Sequence, residues 1–216
     1  MDVVGILGGT FDPVHLGHIH MAQEARLCLG LSEVRLLPCY QPPHRELPCL
    51  TADQRLHLLR LATSGIQGLV VDDREFKRQG PSYTIDTLCE LRQCLGNRVS
   101  LVLLMGADAY SGLLSWHRWD ALLNVAHIAI FQRPGCALPA QGVLADLINQ
   151  SDIGQLHQNI AGSVVVLNQQ QMDISATAIR QQLAAGVLSR YLSPAVRNYI
   201  SQNQLYGFNE KQINDY

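Results

Sequence analysis

The stretch Gly8-Gly9-Thr10-Phe11-Asp12-Pro13-Val14-His15-Leu16-Gly17-His18 follows directly on a short apolar run, Val3-Val4-Gly5-Ile6-Leu7. The run reads as a buried strand, and the residues after it as a turn opening a helix. Two adjacent glycines admit positive φ and let the backbone approach a ligand closely. Asp12 before Pro13 predicts a helix N-cap followed by the first helical residue. His15 and His18 are three apart and share one face of the opening turns, and Gly17 has no Cβ to obstruct that face. A helix N-terminus offers unpaired N–H donors and the positive end of the dipole, so the assembly suits a polyphosphate. The spacing is neither Gly-x-Gly-x-x-Gly nor Gly-x-x-x-x-Gly-Lys-Ser/Thr, which argues against a dinucleotide cofactor and against a P-loop. His-x-x-His with no third ligand nearby is a poor metal site, and no protein metal cluster is expected. A Gly-Gly turn or two surface histidines would be unremarkable singly; together at the first strand–helix junction they mark a site.

Outward from this stretch, apolar runs recur at Val34 to Leu37, Leu69 to Val71, Val99 to Met105, His127 to Phe131 and Ser163 to Leu167. Helical periodicity lies between most of them, at His15 to Leu29, Ala52 to Ala62, Thr84 to Leu95 and Trp116 to Leu123. Strands apolar throughout and alternating with helices predict an α/β fold, a doubly wound, Rossmann-like parallel sheet covered on both faces. Ligands are then expected at the carboxyl ends of the strands, near a topological switch point. Two C-terminal helices are expected at Ile174 to Ala185 and Pro194 to Gln202. The looser stretch 134–162, with one helix at Leu138 to Ile148, reads as a peripheral insertion. Residues 1–208 are expected to form a single domain, with 209–216 a polar tail.

The 216 residues suffice for one such domain. With 47% hydrophobic residues, 16% charged and a mean hydropathy of +0.05, the composition is that of an ordinary globular chain. No window resembles a membrane span, and no basic stretch precedes an apolar one at the start, so a soluble cytoplasmic protein is expected. A net charge of −2 without a basic run argues against a nucleic-acid surface. The six cysteines form no Cys-x-x-Cys pair and read as buried or half-buried thiols in a reducing compartment. The sequence defines no oligomeric state.

A second anchor is Ile174-Ser175-Ala176-Thr177-Ala178-Ile179-Arg180. Ser175 is a natural N-cap, and Ala178 three residues on cannot complete a capping box, so the helix end stays receptive to an anion. Arg180 lies one turn after Thr177 and adds a guanidinium to a hydroxyl, a charge-assisted phosphate clamp.

Thr10 to His18 resembles the signature of the nucleotidylyltransferase superfamily, (H/T)-x-G-H. Ile174 to Arg180 resembles its second signature, I-S-x-T-x-(I/L)-R. Pro81-Ser82-Tyr83-Thr84, Trp116-His117-Arg118-Trp119, Gly106-Ala107-Asp108 and Pro42-Pro43-His44-Arg45 are similar to further motifs of the bacterial nicotinate mononucleotide adenylyltransferases. The resemblance covers nearly the whole chain. It implies ATP contacts at Gly8, Gly9, Thr10, Phe11, His18, Gly106, Asp108, Ser175, Thr177 and Arg180. It implies acceptor contacts at Gly9, His44, Arg45, Tyr83, Thr84 and Trp116, with Trp116 stacked on the pyridine. From the residues themselves, Arg133 after the fifth strand is a further candidate for phosphate contact on the acceptor side, and Ser82 reads as the cap of the helix at Thr84. It further implies direct in-line adenylyl transfer from ATP to nicotinate mononucleotide, assisted by His15, His18 and Arg180. Mg²⁺ would be carried in with ATP. Nicotinamide mononucleotide as acceptor, or a non-catalytic nucleotide sensor of the same fold, are the alternative readings. His20, His57, His127 and His157 match no motif and read as structural or surface residues.

Overall fold

The structure, a computed structural model, describes residues 1–42, 47–132, 137–150, 152–167, 172 and 174–209. In chain order the elements are β1 (Asp2–Gly9), α1 (Leu16–Cys28), β2 (Glu33–Pro38), α2 (Ala52–Thr63), β3 (Leu69–Val71) and α3 (Thr84–Leu95). There follow β4 (Val99–Gly106), α4 (Ala107–Ser111), α5 (Leu122–Val125), β5 (His127–Phe131), α6 (Val143–Asn149), β6 (Val164–Leu167), α7 (Ala176–Ala184) and α8 (Pro194–Gln202). The six strands form one parallel sheet in the order β3-β2-β1-β4-β5-β6, the doubly wound arrangement expected. Strand order reverses between β1 and β4, so their carboxyl ends flank the crevice.

Alternation along the strands sends side chains to two cores. Val3 and Leu7 of β1 and Val102 and Leu104 of β4 pack beneath α1, α2, α7 and α8. Val4, Ile6, Leu101, Leu103 and Met105 pack beneath α3 to α6. Burial on both faces is why these strands read as unbroken apolar runs. No helix among the described residues is long and apolar enough to cross a membrane.

Several local expectations are corrected. The segment Trp116 to Leu123 is not one helix. Arg118 takes a left-handed φ of +50°, and short 3₁₀ turns precede α5. The helix expected from Leu138 starts at Val143, after Gly142 at φ +83°. Within 134–162, Leu144 and Leu156 are buried in the cores. Cys28, Cys49 and Cys94 are exposed rather than buried, while Cys136 lies outside the described residues.

Candidate active site

The opening stretch folds differently in detail from its sequence reading. Gly8 and Gly9 are the last residues of β1, paired with Leu37 and Pro38. The left-handed residue of the turn is Phe11, at φ +50°. Asp12 does not cap α1. Its Oδ2 accepts the Cys49 N–H at 2.7 Å, and its Oδ1 accepts the Tyr206 hydroxyl at 2.8 Å. His15 occupies the N-cap position, and α1 begins at Leu16. Two N–H groups expected to face a ligand are engaged internally. Leu16 donates to the Tyr191 carbonyl at 2.8 Å, and His18 to the His15 carbonyl at 3.0 Å. Gly17 borders the space in front of the two rings, as expected, and a Cβ there would also crowd Nδ1 of His15 at 3.0 Å.

The two imidazoles do converge, stacked with centroids 3.8 Å apart, and the Phe11 ring meets His18 edge-on at 4.9 Å. The His15 N–H donates to Nδ1 of His18 at 3.2 Å. Burial, and then the neighbouring His15, hold the His18 pKa well below 6.5. His18 is therefore neutral near pH 7, and with Nδ1 accepting, its proton resides on Nε2.

Ser175 caps α7 as expected, its Oγ accepting the Ala178 N–H at 3.5 Å. Arg180 reaches across to the opening stretch. One nitrogen donates to the Asp12 carbonyl at 2.7 Å and another to Thr177 Oγ1 at 3.2 Å. The two signature segments, 168 residues apart between Asp12 and Arg180, thus share one wall.

Two cavities meet at the carboxyl ends of β1 and β4. The larger, about 560 Å³, is lined by His15, His18, Asp108, Ser175, Thr177 and Arg180 among others. The smaller, about 320 Å³, is lined by Tyr83, Thr84, Trp116 and His117 together with apolar strand residues. Gly8, Gly9, Thr10, His18 and Gly106 line both, so His18 stands where the cavities join. Ser82 does not cap α3. Tyr83 holds that position, and Ser82 Oγ instead accepts the Tyr40 and Gln41 N–H groups, fastening the loop after β2. Trp116 is half-buried at the smaller cavity, and Trp119 packs on the core as a structural residue. His44, Arg45 and Arg133 lie outside the described residues. His57 packs against Tyr199, and His127 and His157 are tied to main-chain groups, in structural roles.

Sequence reasoning missed several residues here. His117 packs on Tyr83 with centroids 4.2 Å apart. Buried Glu75 accepts the Thr87 hydroxyl at 2.7 Å beside the smaller cavity. Tyr206 carried no signal, because its partner Asp12 is 194 residues away. Arg55 did carry one: it stands on the buried stripe Arg55, Leu58, Leu59, Ala62 at i, i+3, i+4, i+7, where a cation needs a reason.

Fold and strand-end crevice define a doubly wound α/β protein of the nucleotide-binding type. A family model described as cytidylyltransferase-like matches residues 6–182, and the chain belongs to that family. A relative from Aeromonas salmonicida (strain A449), named "Probable nicotinate-nucleotide adenylyltransferase", is 46% identical over 207 residues, covering 94% of this chain and 96% of its own. A relative of the same name from Cellvibrio japonicus (strain Ueda107) is 43% identical over 206 residues, covering 94% and 98%. Among solved structures, the Plasmodium falciparum nicotinic acid mononucleotide adenylyltransferase complexed with NaAD superposes with a TM-score of 0.72. It covers 97% of this chain and 99% of its own at 18% identity, a likeness of fold.

Proposed function

We propose that this protein joins ATP and nicotinate mononucleotide, giving nicotinate adenine dinucleotide and pyrophosphate, as an enzyme of NAD biosynthesis. The names and identities of the relatives support the reaction. The observation that carries it is the placement of His18 on the wall shared by a polar cavity and a more apolar one. The larger cavity takes ATP, with Arg180, Thr177 and the Ser175 end of α7 on the β- and γ-phosphates and Asp108 toward the ribose. The smaller takes the acceptor, with Trp116 against the pyridine and the Tyr83–Thr84 helix start against its carboxylate.

The acceptor's 5′-phosphate oxygen attacks the α-phosphorus as the bond to the β-phosphate oxygen breaks, and pyrophosphate leaves in line. The neutral His18 donates from Nε2 to the charge that builds on the phosphates, with His15 stacked behind it. Catalysis is positioning and charge stabilisation, with no covalent intermediate on the protein. Mg²⁺ carried with ATP would be held chiefly by the phosphates and would share the charge that builds on them. Of the two carboxylates lining the larger cavity, Asp12 is already engaged and Asp108 is directed to the ribose, so the protein itself would add little to the ion's coordination. None of the five cysteines among the described residues is joined in a disulfide, which supports a reducing, cytoplasmic location.

The test is pyrophosphate release with ATP and either the acid or the amide mononucleotide, compared as kcat/KM. The acid is expected to be preferred. Preference for the amide overturns the substrate, and nucleotide binding without release overturns the enzyme.

A further inference from the structure

The last rung between β1 and β2 pairs Gly9 with Pro38, and the Cys39 N–H donates to the Gly9 carbonyl at 2.9 Å. Beyond it the two chains part, one into the turn before α1 and the other into the loop leading to α2. The Arg55 guanidinium fills this fork. One terminal nitrogen donates to the Thr10 and Cys39 carbonyls, each at 2.7 Å, and the other to the Tyr40 carbonyl at 3.2 Å. Arg55 is 1% exposed, and the lining of neither cavity includes it, so it acts from behind the site. A buried cation persists only where such partners compensate its lost hydration. Burial pushes its pKa down and the Asp12 carboxylate nearby pushes it back.

The peptide joining Thr10 to Phe11 is planar and trans, so its C=O and N–H point in opposite directions. A Thr10 carbonyl drawn onto Arg55 therefore turns the Phe11 N–H away from α2. Thr10 and Phe11 both line the larger cavity, and Phe11 adopts its left-handed φ of +50° in this arrangement. The donor so presented matters because Leu16 and His18 N–H groups of α1 are already engaged.

We propose that Arg55 is a positioning residue: by clamping three carbonyls at the parted ends of β1 and β2, it aims the Phe11 N–H at the substrate phosphates and fixes the spacing between the two cavities. The proposal rests on the adenylyl-transfer reading. A lysine cannot replace it, because one ammonium nitrogen does not reproduce a planar fork spanning two strand ends.

The experiment compares wild type with Arg55→Lys at a temperature where circular dichroism shows both folded, measuring kcat, both KM values and Tm. The expected result is a kcat lowered roughly tenfold or more, short of the ~10²–10³-fold lost when an oxyanion donor is deleted, with ATP KM raised more than acceptor KM. A wild type that turns over while Arg55→Lys matches it in kcat and both KM values, with only Tm reduced, overturns the proposal alone. No turnover in wild type overturns the underlying reading. If Arg55→Lys does not fold, the ¹H–¹⁵N signal of Phe11 in the wild-type protein decides. Titration with inorganic pyrophosphate is expected to move it, and a signal that stays in place overturns the proposal.

Discussion

His18 shows how much chemistry a single main-chain hydrogen bond decides. The His15 N–H occupies Nδ1, burial and the stacked His15 ring disfavour the cation, and Nε2–H is left as the donor at the junction of the cavities. The two histidines were legible at three-residue spacing, but the tautomer was not, because it follows from helix α1 starting at Leu16 rather than at Pro13. Without ligand, ¹⁵N NMR of the histidine side chains is expected to find His18 protonated on Nε2 and uncharged at pH 6.5, where an ordinary imidazole is half charged. An imidazolium at that pH would mean that the ring is not held as described.

At the scale of elements, the α7 helix and the C-terminal segment close over the opening turn through Asp12. Its carbonyl receives Arg180, and its carboxylate receives the Tyr206 hydroxyl and the Cys49 N–H. Burial, and then Asp12, keep the Tyr206 hydroxyl protonated, as a donor must be. Tyr206→Phe deletes that one donor with little change of shape. Chemical denaturation is expected to show about 1–3 kcal/mol of lost stability, the scale for a bond to a charged partner. Unchanged stability would place Tyr206 outside the closure. The helices predicted most accurately, α3 and α8, have strong periodicity and local stops. The one predicted worst, Trp116 to Leu123, breaks at a left-handed Arg118 that nothing in its residue type announces.

Across the whole molecule, all six strands were readable, because burial on both faces leaves runs of apolar residues with little ambiguity. The convergence of the site was readable only through two signatures placed together by the sheet order. The networks of Arg55 and Asp12 were not, since they join residues 45 and 194 positions apart. The same packing sets the pH response. His127 is wholly buried, with Nδ1 accepting the Ser163 N–H and Nε2 bonded to the Asn159 carbonyl. Burial lowers its pKa, as it does that of His18. Below about pH 6.5 the unfolded chain takes up protons at these rings that the folded chain refuses, so stability falls as pH falls. Tm is expected to be nearly flat from about pH 8 to about pH 7 and to decline below about pH 6.5, with a shallower decline in His127→Gln. A Tm that rises on acidification through that window would contradict this.

The central claim is that His18 and Arg180 act together on one phosphate chain, and His18→Ala tests it most directly. With wild-type Tm and affinity for a non-reacting ATP analogue largely retained, kcat for pyrophosphate release is expected to fall by ~10²-fold or more. A folded His18→Ala protein with a kcat near that of wild type would contradict it.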